Sequence, residues 1–169
     1  MIKNCAKFII ILLIITNLIF ISTTVFYKSK IDNQVFKVYT FEGENKDIRL
    51  SNGIIIIYPS KQIVNGGQIH YIGNKLGNIK FYSKTIYLNK QGHQDHILSN
   101  SMLDYNGPLM TFPDELLLNR DIGGISGEKL LSDNDIKTIK DNLCFSLNCT
   151  LDDGKPINFI VKLSVKEIL

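Results

Sequence analysis

Between Phe8 and Phe26 the chain runs nineteen residues, FIIILLIITNLIFISTTVF, without a charge. As an α-helix rising about 1.5 Å per residue, that stretch spans roughly 28 Å, the thickness of a bilayer's hydrocarbon core. A single span in lipid satisfies all its backbone donors and acceptors only as a helix, so the stretch predicts a transmembrane helix. Thr16, Asn17, Ser22, Thr23 and Thr24 dilute its second half. Hydroxyls in such positions bond back to the preceding turn at little cost.

A cleaved signal peptide begins in the same way but needs small residues around the cut. From Ile21 to Ser29 the chain offers Ser and Thr, no Ala or Gly, and the bulky Phe26 and Tyr27. The segment therefore reads as an uncleaved signal-anchor. A lipoprotein signal does not fit, because Cys5 precedes the apolar stretch and a lipid-modified Cys would have to follow it. Lys3 and Lys7 stand before the stretch and Lys28 and Lys30 after it, so the positive-inside bias is nearly balanced. The short leading tail and the long following domain favour the N-terminus inside and the C-terminal domain outside. The expected organisation is a cytoplasmic tail at 1–7, a signal-anchor helix at 8–27, a polar stalk at 28–34 and one extracytoplasmic domain at 35–169. The expected location is the cell membrane, crossed once.

The formal charge of +3 overstates the basicity of that domain. With Lys3 and Lys7 in the tail, 19 − 2 = 17 basic residues face 16 acidic ones from residue 28 onward. No Lys/Arg run is interleaved with aromatics, so the electrostatic footprint of a nucleic-acid binder is missing. Cys144 and Cys149, five apart on one expected strand, would lie on opposite faces, a poor geometry for a bridge.

Strand signals follow the stalk closely. Val35 to Phe41 is rich in β-branched and aromatic residues and ends in a turn cluster, Glu42-Gly43-Glu44-Asn45. Asn52-Gly53 predicts a tight turn, since both residues tolerate positive φ. Ile54 to Tyr58, closed by Pro59, reads as a strand buried on both faces. Gln68 to Ile72 and Asn78 to Leu88 are further strand segments, and Asn89 to Ser101 reads as a polar connection. Asp114 to Asn119 predicts a helical turn or two, and Ile122 to Gly127 a flexible Gly-rich connector. Ser132 to Asn142 is the best helix after the anchor: Ser132 is an N-cap, Asp133 and Asp135 lie in the first turn, and Lys140 lies late.

Leu143, Phe145, Leu147, Cys149 and Leu151 alternate with polar or small residues, and the alternation resumes from Ile157 to Val165 after Asp152-Asp153-Gly154-Lys155. This predicts an antiparallel hairpin with one buried face, and such a face needs a second layer to cover it. Seven or so short strands then close as an immunoglobulin-like antiparallel β-sandwich with one short helix. Phe41-Glu42-Gly43-Glu44-Asn45, the Asn52-Gly53 turn and the hairpin with Asp153-Gly154-Lys155 resemble small uncharacterised extracytoplasmic proteins of Gram-positive bacteria. Those carry an N-terminal lipoprotein signal or membrane anchor before a small β-sandwich. The resemblance implies a location and a fold and transfers no functional residue.

Chemical motifs are few. His93, Asp95 and His96 form an H-x-D-H cluster of metal-ligand types, with His70 a further candidate, although a closed site needs three or four ligands. The bland reading of the cluster is a solvated loop. Gly124-Ile125-Ser126-Gly127 is neither a phosphate loop nor a nucleophile elbow. Two functions remain: a membrane-anchored β-sandwich binding module without a cofactor, and a metal-dependent accessory protein or enzyme using the histidine cluster. For the first, the partner would be another membrane protein or the cell envelope. The contact would fall on a sheet edge or on a face carrying Tyr39, Tyr71, Tyr82 and Tyr87.

Overall fold

A computed structural model of the chain describes residues 2–32, 36–74, 77–103, 110–112 and 121–169. The chain divides into two units, 1–35 and 36–169. The first is one helix, α1 (Ile2–Asp32). Its apolar side chains point to every side and stay uncovered, from Ile15 at 50% exposed to Phe26 at 67%. Ile9–Ser29 is long and apolar enough to cross a membrane.

The second unit is mainly β, with one helix among its described residues. In chain order its elements are β1 (Lys37–Glu44), β2 (Ile48–Ile57), β3 (Gln62–Asn65), β4 (Gln68–Tyr71), β5 (Gly77–Lys90), β6 (His93–Leu103), β7 (Met110–Phe112), β8 (Gly124–Gly127), α2 (Asp133–Asn142), β9 (Leu143–Leu151), β10 (Pro156–Lys162) and β11 (Ser164–Glu167). Among the described residues they make two antiparallel sheets. One has the order β11-β1-β2-β3-β8, with β4 also on β2, and the other β10-β9-β5-β6, with β7 also on β5.

Period-two alternation decides which side chains face inward. Tyr39, Phe41, Ile55 and Ile57 from the first sheet and Ile86, Leu88, Phe145 and Leu147 from the second join one apolar cluster. Each such side chain contributes about 1.5–3 kcal/mol relative to exposure. Helix α2 closes one end of this core with Ile139, fully buried, and Ile136 packed beside it. Ser132 caps the helix through a reciprocal capping box: its Oγ accepts from the Asp135 N–H at 3.2 Å, and its own N–H donates to Asp135 Oδ2 at 2.9 Å.

Several expectations are corrected. Asn52-Gly53 is no hairpin turn. Strand β2 passes straight through it, and the register against β1 shifts between Phe41 and Gly43. The positive φ of Asn52, 59°, is spent on this bulge, which aligns Gly53 opposite Phe41. Likewise the Glu42–Asn45 cluster lies largely within β1, and the chain reverses at Asn45, whose Oδ1 accepts from the N–H groups of Asp47 and Ile48. Ile54 to Tyr58 is not buried on both faces: Ile55 and Ile57 are buried, while Ile54 and Ile56 are partly open and Tyr58 is exposed. The supposed connection Asn89–Ser101 is the end of β5 and most of β6, and the Ile122–Gly127 connector contributes β8, paired with β3. The closing hairpin is present, but β9 is central in its sheet and buried on both faces from Leu143 to Leu147. The helix expected at Asp114–Asn119 lies outside the described residues.

Candidate functional site

The sheet edge formed by β6 collects most of the chemistry the sequence singled out. Gln91 and Gly92, with φ of 49° and 88°, supply the two left-handed residues of a two-residue turn between β5 and β6. Among the described residues β6 pairs with β5 alone and forms one end of its sheet. The register slips between Ile86 and Tyr87, which pair with Leu98 and His96 and leave Ile97 as the extra residue. Ile97 and Leu98 are both buried as a result and fasten the strand to the core. His93 to His96 and Ser99 to Ser101 are exposed on either side of this anchor.

The histidine cluster therefore sits on a strand, not in a loop. His93 and Asp95, two residues apart, share one side of β6, and His96 projects from the other. The His96 ring lies edge-on to Tyr87, with centroids 6.3 Å apart. The Asp95 carboxylate accepts from Lys90 Nζ at 2.7 Å. His70 is on β4 of the other sheet, opposite Arg49. Among the described residues no group of three or more His, Cys, Asp or Glu side chains gathers in metal-binding distance.

Lys90 organises this end of the molecule. Its ammonium lies 2.6 Å from Asp135 Oδ1 and 2.7 Å from Asp95 Oδ2, joining the β5–β6 hairpin to the first turn of α2. Hydrogen bonds from Lys90, first to Asp135 and then to Asp95, hold its pKa above the ordinary lysine value. For Asp135, burial pushes the carboxyl up. Hydrogen bonds from Lys90 and from the Ser132 backbone and side chain outweigh it and leave the pKa below its ordinary value.

The tyrosines do not form an exposed face. Tyr39 and Tyr87 are each 2% exposed, and Tyr71 and Tyr82 pack against the core. On the outer side of the second sheet, Thr85 Oγ1 lies 3.5 Å from Ser83 Oγ and 3.3 Å from Ser99 Oγ, a short chain of hydroxyls crossing from β5 to β6. Beside it Tyr87 and Cys144 are paired across β5 and β9. The two cysteines of β9 are free and buried on opposite faces of their strand. Burial pushes the Cys149 thiol up to about 12 and raises Cys144 as well, so both are held as thiols at neutral pH.

Two features escaped the sequence. Lys84 is in phase with Ile86 and Leu88, faces the core at 2% exposure, and places Nζ 5.4 Å from the centroid of the Tyr82 ring, within cation–π range. Its inward phase was readable from the run Lys84-Thr85-Ile86-Tyr87-Leu88, where every second residue is apolar. The other is a shallow groove of about 370 Å³ lined by Glu42, Glu44, Arg49, Ser51 and Ser164, opened by the bulge between β1 and β2. Two of its three charges are paired, Arg49 Nε donating to Glu44 Oε2 at 2.5 Å.

No family model, curated protein or solved structure matches this chain at a significant level.

Proposed function

We propose that this chain is a single-pass membrane protein of the cell membrane that holds its N-terminus inside. Outside, it presents a β-sandwich as an interaction module for another membrane protein or for the cell envelope. The observation that carries this reading is α1: Ile9–Ser29 is apolar on all sides, uncovered, and followed by a separate unit with its own core. For that unit we favour an immunoglobulin-like sandwich. The order β10-β9-β5-β6 runs as the G-F-C-C′ order of a variable-type domain does, and both sheets share one core. The first sheet departs from the type, since β1, β2 and β3 follow one another as a meander. The edge of β6 is the proposed contact surface, because its polar rim, on a strand that ends its sheet among the described residues, suits the addition of a partner strand. A metal-dependent role for His93, Asp95 and His96 has less support, with His96 turned away from the other two.

Protease shaving of intact cells tests the reading. A protected N-terminal fragment ending near Lys30, with the rest digested, is the expected result. Full protection reverses the topology, and a mature chain starting beyond Thr24 replaces the anchor by a cleaved signal. Zinc titration of the purified chain separates the metal reading: micromolar binding lost on His93→Ala would favour it over the module.

A further inference from the structure

We infer that α1 associates with a second copy of itself in the membrane, through a side-chain amide pair at Asn17; the inference rests on the anchor reading above. The polar side chains of the span differ in how completely they are satisfied. Thr16 Oγ1 donates to the Leu12 carbonyl at 2.7 Å, Ser22 Oγ to Leu18 at 2.8 Å, and Thr23 Oγ1 to Ile19 and Phe20 at 2.9 Å each. A hydroxyl has one proton to place, and each of these has placed it within its own helix.

Asn17 cannot close its account in that way. An amide side chain has two N–H donors and a carbonyl with two lone pairs. Nδ2 donates one hydrogen bond, to the Leu13 carbonyl at 2.8 Å. The second N–H and the side-chain carbonyl have no partner among the described residues, and the residue is exposed on the helix surface. Asn17 is two residues from Ile19, the midpoint of Ile9–Ser29, so it lies only about 3 Å from the centre of the apolar span. Water is absent at that depth, and unmade hydrogen bonds there cost several kcal/mol per group in the limit of pure hydrocarbon.

A second copy is the occupant that fits. The amide is self-complementary, presenting a donor and an acceptor from one group, so a twofold-related pair satisfies both at once. All copies of one chain insert with the same orientation, which brings Asn17 to Asn17 at equal depth without further design. A foreign helix would need a polar group placed at that same level. No charge lies between Ile9 and Tyr27 to select a partner of opposite sign. The face centred on Asn17 also carries Leu13, Phe20 and Thr24, at spacings of four, three and seven residues, the seam that two helices share when they cross at a small angle.

The test uses the full chain, labelled at its C-terminus with donor or acceptor dye and reconstituted into phosphatidylcholine vesicles. Flotation with the vesicles reports insertion separately from association. The expected result is energy transfer that persists on dilution with lipid. Asn17→Leu should weaken it about 3- to 30-fold in apparent dissociation constant while flotation is unchanged, and Asn17→Gln should retain it. Transfer no greater than that of randomly mixed labels, equal transfer in the Asn17→Leu chain, or association found only in native membranes would each overturn the inference. A chain that fails to float would remove the anchor reading and this pairing together, whereas floating without transfer removes the pairing alone.

Discussion

Gly53 offers a stringent check on the arrangement of the first sheet. A Cβ built on it would lie 2.1 Å from Phe41 Cε2 and 2.4 Å from Cδ2 and Cζ, where carbon atoms in contact ordinarily keep about 3.5–4.0 Å. The Phe41 ring, 2% exposed and part of the common core, would have to shift by more than about 1 Å into neighbours that leave little room. Overpacking of this kind costs about 1–3 kcal/mol. Loss of glycine's freedom in the unfolded chain returns about 0.4–1 kcal/mol, so Gly53→Ala should be net destabilising by about 1–2 kcal/mol. Urea unfolding of the full chain in detergent, followed by far-UV circular dichroism, should show the midpoint falling by roughly 0.5–1 M. A double-mutant cycle isolates the cause. On a Phe41→Leu background the smaller side chain leaves space for the new methyl group, and the alanine should cost less than about 0.5 kcal/mol, a coupling of about 1 kcal/mol or more. If Gly53→Ala is neutral, or its cost is unchanged by Phe41→Leu, the ring does not lie over the glycine and the bulge register is wrong.

Two further outcomes follow from the charges and thiols. Asp135 has a native pKa below its ordinary 3.8, so the stability it contributes is complete above that value and is lost as pH falls through 3.8 and then through the lowered native value. Acid titration of the Asp135→Asn chain should therefore show a flatter decline in that window than the parent, and parallel curves would dismiss the carboxylate's role. Cys144 and Cys149 should resist a water-soluble thiol reagent in the folded chain at pH 8 and react on unfolding, as counted by mass spectrometry; rapid native labelling of Cys149 would contradict its burial.

The long apolar helix α1, α2 and the closing hairpin were readable because each rests on a local signal. Those signals are nineteen uncharged residues, a Ser132 N-cap followed by Asp133 and Asp135 in the first turn, and alternation from Leu143 to Leu151 that resumes from Ile157 to Val165 after the turn. What escaped depends on partners distant in the chain. Asn52-Gly53 has the composition of a turn, yet β4 on one side and β1 on the other hold β2 extended through it, and tertiary pairing overrides local preference. Strand β6 is hidden because its exposed positions are polar on both faces and its apolar residues fall in adjacent pairs, Ile97-Leu98 and Met102-Leu103, so no period of two survives. Ile122–Gly127 reads as a connector because glycine weakens a strand, and only the neighbouring β3 makes one of it. In the cluster His93-Gln94-Asp95-His96 the residue types were clear, but the strand's alternation separates what helical spacing would have brought together.

The pairing of β1 with β11 has a consequence for the order in which the unit matures. Thr40 meets Lys166, 126 residues further along the chain, and the Val38 and Leu169 backbones are also joined. Synthesis delivers β1 first and must hold it incomplete, with one flank unpaired, until β11 emerges. Loops of that size close slowly, because the entropy of bringing the ends together is lost before any contact rewards it. A nascent chain arrested before Ser164 would keep β1 open on that side, ready for a chaperone or a quality-control protease, and release of β11 would be the step that latches the sheet.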